Sequence, residues 1–416
     1  MSATHFPDGD VGGSEDKTAI LSVARMAFLP ILTLTLAAFA IGTTEFAIQG
    51  LLPDIASDLA TSIPLTGLLV SGYAFGVAIG GPVMALALGR AGRKTALLAL
   101  LAIFVAGHGV AALAPNYPLL LVARVFTSLC HGAFMGIGSL VAVTIVPQNR
   151  RASAVALMWA GIASANVLGV PAGTILGHAL GWRSTFWAIG GLGIAAFVAI
   201  TLWLPRSGQG ERPNIVAEIK VLARPQVILA MILSACVCAA TFSVFTYIAP
   251  LLIEVTGISA SVLPVYLLLF GVGGVIGMQI GGRIGDRGVM AVIIGSFTAD
   301  MVVFLVLLIT VHSVWLASVT MFLWGFSFYF MAAPLQLRIV DAARGAPNLA
   351  STVIQSTFNL GIALGPVIGA LILAVGAGYA MLPIAGALLS MLGVLGALWS
   401  RAMERRTGGL LQEAIP

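Results

Sequence analysis

Glu45, Arg124, His131 and Asp300 are ionisable side chains that stand inside long apolar runs of this 416-residue chain. A charge in so apolar a setting costs ~2.5 kcal/mol or more, so each needs a reason. Glu45 lies seven residues before Leu52-Pro53. It reads either as a neutral acid or helix-exit cap, or as a proton carrier, since lone acids in apolar spans mark ion paths. Arg124 falls five residues into a run over 119–146, at a depth comparable to Glu45, and His131 follows on the same helix face because seven residues make about two turns. An imidazole changes charge near neutrality and can relay a proton, or it can rest neutral against a carbonyl. Ionised Glu45 is expected to pair with Arg124, and protonation to release it. Asp300, in the middle of a run over 289–311, is either a neutral, inward-turned acid or a second proton site.

Neutral polar groups accompany them. Gln279, Gln336, Gln355 and Asn359 suit a cavity that recognises hydroxyls or amides rather than charge, and Asn166 offers a substrate bond or a helix–helix bond. His108 and His178 read as satisfied structural residues, and Asp54, Asp58 and Glu254 as solvated charges at the outer surface. Cys130, Cys236 and Cys238 lie in apolar runs and read as small buried thiols, not as a disulfide or a metal site.

The elements that must position these groups follow from composition. The chain is 59% hydrophobic and 8% charged, with a mean hydropathy of +1.07. A soluble domain needs about 25% charged residues to face water, which excludes a globular cytosolic enzyme. The net charge of +5 has no dense basic cluster, so it points to membrane topology rather than nucleic acid. Segmentation at charges, prolines and turn residues predicts an all-α polytopic membrane protein with twelve spans, near 27–52, 65–88, 95–114, 119–146, 152–179, 184–204, 226–252, 263–282, 289–311, 314–337, 350–375 and 379–400. With both ends placed inside, 18 of the 20 basic residues fall on the cytoplasmic side, Arg183 falls outside and Arg124 lies within a span. The expected organisation is a disordered cytoplasmic tail (1–25), a six-helix bundle (26–205), a cytoplasmic linker (206–225), a second six-helix bundle (226–400) and a cytoplasmic tail (401–416).

Glycines four apart recur in spans 2, 5, 8 and 11: Gly72, Gly76 and Gly80; Gly169, Gly173 and Gly177; Gly273, Gly277 and Gly281; Gly361, Gly365 and Gly369. Such ladders form flat faces on which another backbone can approach. Their recurrence at one position of a three-helix unit predicts the nested repeats of a secondary transporter.

At this level the chain resembles the major facilitator superfamily over residues 27 to about 400. The loop Gly89-Arg90-Ala91-Gly92-Arg93-Lys94 and its counterpart Gly282-Arg283-Ile284-Gly285-Asp286-Arg287 are similar to the family's gating loops. The first has Gly89 where the family carries an acid that pairs across the halves; Asp286 retains the acid in the second. Asn166-Val-Leu-Gly169-Val-Pro171-Ala-Gly173 resembles the antiporter element of span 5, and Arg124 the family's intramembrane arginine. Ile41-Gly-Thr-Thr-Glu45-Phe, His131-Gly-Ala-Phe and Gly181-Trp182-Arg183-x2-Phe186 look like the twelve-helix drug:proton antiporters, in particular the bacterial inner-membrane exporters of sugars, purine nucleosides and chloramphenicol. The resemblance implies a multi-pass inner-membrane monomer. It also implies contact of spans 2 with 11 and 5 with 8 where the halves meet, which is where the ladders are expected to pack.

The function expected is efflux of a small polar or amphipathic molecule by alternating access, with the proton as coupling ion and no other cofactor or metal. The partners are lipid and substrate, with no nucleic acid. A proton-symport importer uses the same fold, and a membrane sensor is the remaining alternative. An intramembrane enzyme would want a His-Glu-x-x-His or Gly-x-Ser-x-Gly motif and an ATP-driven pump a Gly-x4-Gly-Lys loop, and the chain has none of these.

Overall fold

A computed structural model describes residues 13–88, 90–205, 224–285, 289–342 and 347–413. Gly89, Asp286, Arg287 and residues 206–223 of the expected linker lie outside the described residues. Twelve helices among the described residues are long and apolar enough to cross a membrane. We number them α1 (Gly13–Asp58), α2 (Ile63–Ala87), α3 (Arg93–Ala112), α4 (Tyr117–Thr144), α5 (Arg151–Leu180), α6 (Trp182–Trp203), α7 (Pro225–Phe245), α8 (Leu263–Gly285), α9 (Val289–Thr310), α10 (Val314–Phe330), α11 (Pro347–Ala374) and α12 (Leu382–Glu413). In an apolar solvent a helix satisfies its own backbone, which is why such runs fold this way.

Several boundaries differ from expectation, among them α7, which stops at Phe245, and α10, which stops at Phe330. Helix α1 starts at Gly13, inside the segment expected to be disordered, and continues through Pro53 to Asp58. A proline this near a helix end removes a single backbone bond. Helix α12 likewise runs past residue 400 to Glu413. Other ends are set by local chemistry. The Asn116 side chain accepts from Leu119 N at 3.0 Å to start α4. Gly181, at φ 84°, supplies the left-handed conformation that separates α5 from α6. Within α5 the turn Ala165–Gly169 widens to a π-helix just before Pro171, whose ring would otherwise meet the carbonyl four residues back.

The glycine ladders correct the expectation about where they pack. Gly72, Gly76 and Gly80 face Leu121, Val125 and Leu129 of α4. Gly273, Gly277 and Gly281 meet the backbone of Phe322, Phe326 and Phe330 of α10. Each partner in these two sets stands 49 residues after its glycine, so the parallel register in the first half repeats in the second. The other ladders behave alike: Gly169 and Gly177 meet Thr43 and Leu51 of α1, while Gly361 and Gly369 meet Ala235 and Ser243 of α7, all at a separation of 126 residues. Gly173 meets Ala47 and Thr185, and Gly365 the backbone of Phe242. The ladders therefore hold each half together internally. A Cβ-free face lets parallel helices within one bundle approach backbone to backbone, which an interface that has to slide does not need.

The halves do meet where the resemblance implies, through other residues. Ser356 Oγ of α11 donates to Ala78 O of α2 at 2.8 Å, and Gly271 of α8 packs against the Asn166 carbonyl in the π-turn of α5. Phe46 of α1 stacks on Phe242 of α7 with ring centroids 5.8 Å apart.

Candidate functional site

Helix α1 is the most enclosed of the spans, and its faces are fully assigned. Thr43, Ala47 and Leu51 face α5, Thr44 faces α3 and α4, and Phe46 faces α7. At 100° per residue this leaves Glu45 and Gln49, one turn apart, turned toward the junction of the halves. Both are buried.

Around them the N-terminal half builds a polar cluster. The Arg124 guanidinium donates through Nη1 to Thr44 O (2.8 Å) and Thr44 Oγ1 (3.0 Å) and lies 4.1 Å from the centre of the Tyr73 ring. His131 Nδ1 stands 4.0 Å from Glu45 Oε2 and 3.4 Å from the Tyr73 hydroxyl. Glu45 and Arg124 form no direct ion pair in this arrangement; Arg124 is held by the backbone of the residue before the acid.

His108 is a structural residue, as expected. Its Nδ1 lies 2.8 Å from Phe104 O, so that nitrogen carries the proton and Nε2 accepts from the Thr44 hydroxyl at 2.8 Å. Thr44 in turn accepts from Arg124, so a single hydroxyl satisfies both groups.

Several buried polar atoms in this region find no hydrogen-bond partner among the described residues: Arg124 Nε and Nη2, His131 Nε2, both amide atoms of Gln49, and Asn359 Oδ1 of α11. Gln355 precedes Asn359 by one turn and accepts from its Nδ2 through the backbone at 3.0 Å. Leu360, Leu364 and Leu371 are exposed on the far side of α11, which turns Gln355 and Asn359 inward. Gln279 and Gln336 are exposed on α8 and on the extension of α10, and the structure does not gather them with this cluster. The Asn166 side chain bonds back to Ile162 O at 3.2 Å, so its contribution at the junction is the main-chain bulge. Asp300 lies apart, buried in the second half. Tyr73, Thr44 and Gln49 escaped sequence reading: a lone hydroxyl or amide in an apolar run carries no mark of which way it turns.

The gating loop places Gly92 at the start of α3, with Arg90 exposed and Arg93 partly so. Its neighbour Lys94 donates to Thr201 O (2.8 Å) and Leu204 O (2.6 Å), closing the last carbonyls of α6. Gly282 lies within the last turn of α8. On the opposite face, charges expected to be solvated are engaged. Arg183 pairs with Asp58 at 2.6 Å and stacks on Trp182, Trp182 Nε1 donates to Asp58 at 3.1 Å, and His178 stands 3.3 Å from Asp54. The Gly181-Trp182-Arg183 motif thus clamps the end of α1.

A family model described as Major Facilitator Superfamily matches residues 34–366. The chain belongs to this superfamily. It is 42% identical over 366 residues to the inner membrane transport protein YdhP of Escherichia coli K12, covering 88% of this chain and 94% of the relative. It is 33% identical to a chloramphenicol resistance protein of Streptomyces lividans, over 82% of this chain and 88% of that one. A probable sugar efflux transporter of Helicobacter pylori G27 is 30% identical over 91% and 96% of the two chains. A solved bacterial homologue of the human lysosomal transporter Spinster shares the fold, with a TM-score of 0.69 at 17% identity over 91% of this chain and 96% of that one. The facilitator fold and these relatives make the chain a multi-pass membrane transporter rather than an enzyme.

Proposed function

We propose that the chain exports a small, uncharged polar molecule in exchange for protons, with the face bearing Arg90, Arg93 and Lys94 in the cytoplasm. One observation supports this most directly: a buried carboxylate at the junction of the halves, 4.0 Å from a buried imidazole and bound to no cation. Glu45 carries the proton, and His131 Nδ1, backed by the Tyr73 hydroxyl, is the atom that hands it on or takes it. Arg124, fixed by Thr44, does not swing between partners. It keeps Nε and Nη2 for substrate oxygens and steadies ionised Glu45 through its field.

Substrate hydroxyls bound between Gln49, Asn359 and Arg124 donate to ionised Glu45, and protonating Glu45 removes that acceptor, so occupancy and protonation oppose each other. That opposition is the physical content of antiport. The neutral amides favour a hydroxyl- or amide-bearing substrate, and relatives named for sugar efflux and chloramphenicol resistance make those two compound classes the first to test.

The test is exchange in proteoliposomes with an imposed proton gradient and a panel of sugars, nucleosides and chloramphenicol. Wild-type protein should move at least one of them uphill. Glu45→Gln should stay folded and bind it with pH-independent affinity but move it only downhill. Proton-coupled exchange at the normal rate by Glu45→Gln removes Glu45 from the role.

A further inference from the structure

The C-terminal half contains a second polar pocket that the Glu45 cluster does not use. Asp300 stands midway along α9 and is fully buried. Gly386 of α12 meets Phe304 and Gly393 meets Phe297, an antiparallel register that sets Ser390 opposite Asp300. From α10, Trp324 packs on Phe304 with ring centroids 5.3 Å apart, and Ser327, one turn on, is close enough to act on the Asp300 carboxylate. Both carboxylate oxygens, Ser327 Oγ, Ser390 Oγ and Trp324 Nε1 are buried, and none has a hydrogen bond of good geometry among the described residues. Buried polar atoms are nearly always partnered, and the four oxygens of Asp300, Ser327 and Ser390 can share one electropositive partner, whereas Trp324 Nε1 is a donor that such a partner does not satisfy.

The chemistry of the pocket restricts that partner. Its acceptors are all oxygens, which suit hard cations and not the softer metals that seek thiolate or imidazole. A single carboxylate in an apolar interior is neutralised by one positive charge, whereas a divalent ion would leave a net charge buried. Phe297, Phe304 and Trp324 pack around this position.

We propose that Asp300, Ser327 and Ser390 form a second ion site that takes one small monovalent cation, a proton or a sodium ion, inside the C-terminal half. The site stands independently of the role assigned to Glu45.

The experiment uses the purified full chain carrying Glu45→Gln, so that the other buried acid is silent. Thermal unfolding is followed against sodium chloride exchanged for choline chloride at constant ionic strength, and against pH in choline. The parent should be stabilised by sodium, by acid, or by both, and Asp300→Asn should lose that response. Ser390→Ala should raise half-saturating sodium by about 10-fold if sodium is the ligand. A sodium-insensitive parent whose pH response vanishes in Asp300→Asn identifies the proton. Should Asp300→Asn fail to fold, Ser327→Ala with Ser390→Ala keeps the acid and removes both hydroxyls. Responses to sodium and pH that match the parent in the variant that folds overturn the proposal.

Discussion

Thr44 carries the connection between the two most polar groups of the N-terminal half, since its carbonyl and hydroxyl hold Arg124 while the same hydroxyl satisfies His108. Thr44→Val keeps the shape and removes the hydroxyl, which leaves His108 Nε2 and part of Arg124 unpaired in a buried setting. A loss of about 1–3 kcal/mol is expected, with Thr44→Ser close to wild type, read from unfolding in mixed micelles. Arg124→Lys should be no substitute. An ammonium cannot bond Thr44 and lie flat on Tyr73 while offering further donors, so transport should fall even where the protein folds. Sequence alone singled out Glu45, Arg124 and His131 because charge in an apolar run is conspicuous. It did not single out Thr44, whose carbonyl and hydroxyl hold Arg124, because a lone hydroxyl in an apolar run is not conspicuous.

At the scale of elements, the ladders explain why spans 2, 5, 8 and 11 tolerate so much glycine. Gly277 faces the backbone of Phe326, whereas a Cβ at Gly295 of α9 would meet nothing within 4 Å. Gly277→Ala should therefore cost about 1–3 kcal/mol through overpacking. Gly295→Ala should be neutral or gain roughly 0.5–1 kcal/mol from helix propensity. Equal stability of the two variants would remove the packing role of the ladder. Phenylalanines at 322, 326 and 330 repeat the four-residue spacing of the facing glycines, the one mark in the sequence that could have disclosed the partner helix. The π-turn was equally hidden: Pro171 shows that α5 must deform but not that the bulge would meet Gly271 of the other half.

For the whole molecule, the basic and opposite faces make a topology that labelling can check. Cysteines introduced at Asn116 and Gln148, at the two ends of α4, should be reached from opposite sides of the membrane, Gln148 from the cytoplasm. Access to both from one side would overturn the proposed orientation. A cysteine pair at Ala78 and Ser356, whose hydrogen bond joins α2 to α11, should cross-link and arrest exchange if the halves must part there.

Much of the molecule was determined by its sequence alone. Apolar length fixes helices because lipid offers the backbone no other partner, and the glycine period and basic asymmetry then give the number of spans and their repeat. These are one-dimensional properties, readable wherever a span's own composition sets its fate. Which helices the ladders join, that Glu45 faces His131 while Arg124 is tied to Thr44, and that Asp300 is buried apart from them were decided only in three dimensions. In a membrane nearly every face of a span is apolar, so hydrophobicity does not select its neighbours. That selection falls to shape and to a few hydrogen bonds, and both exist only once the whole bundle has closed.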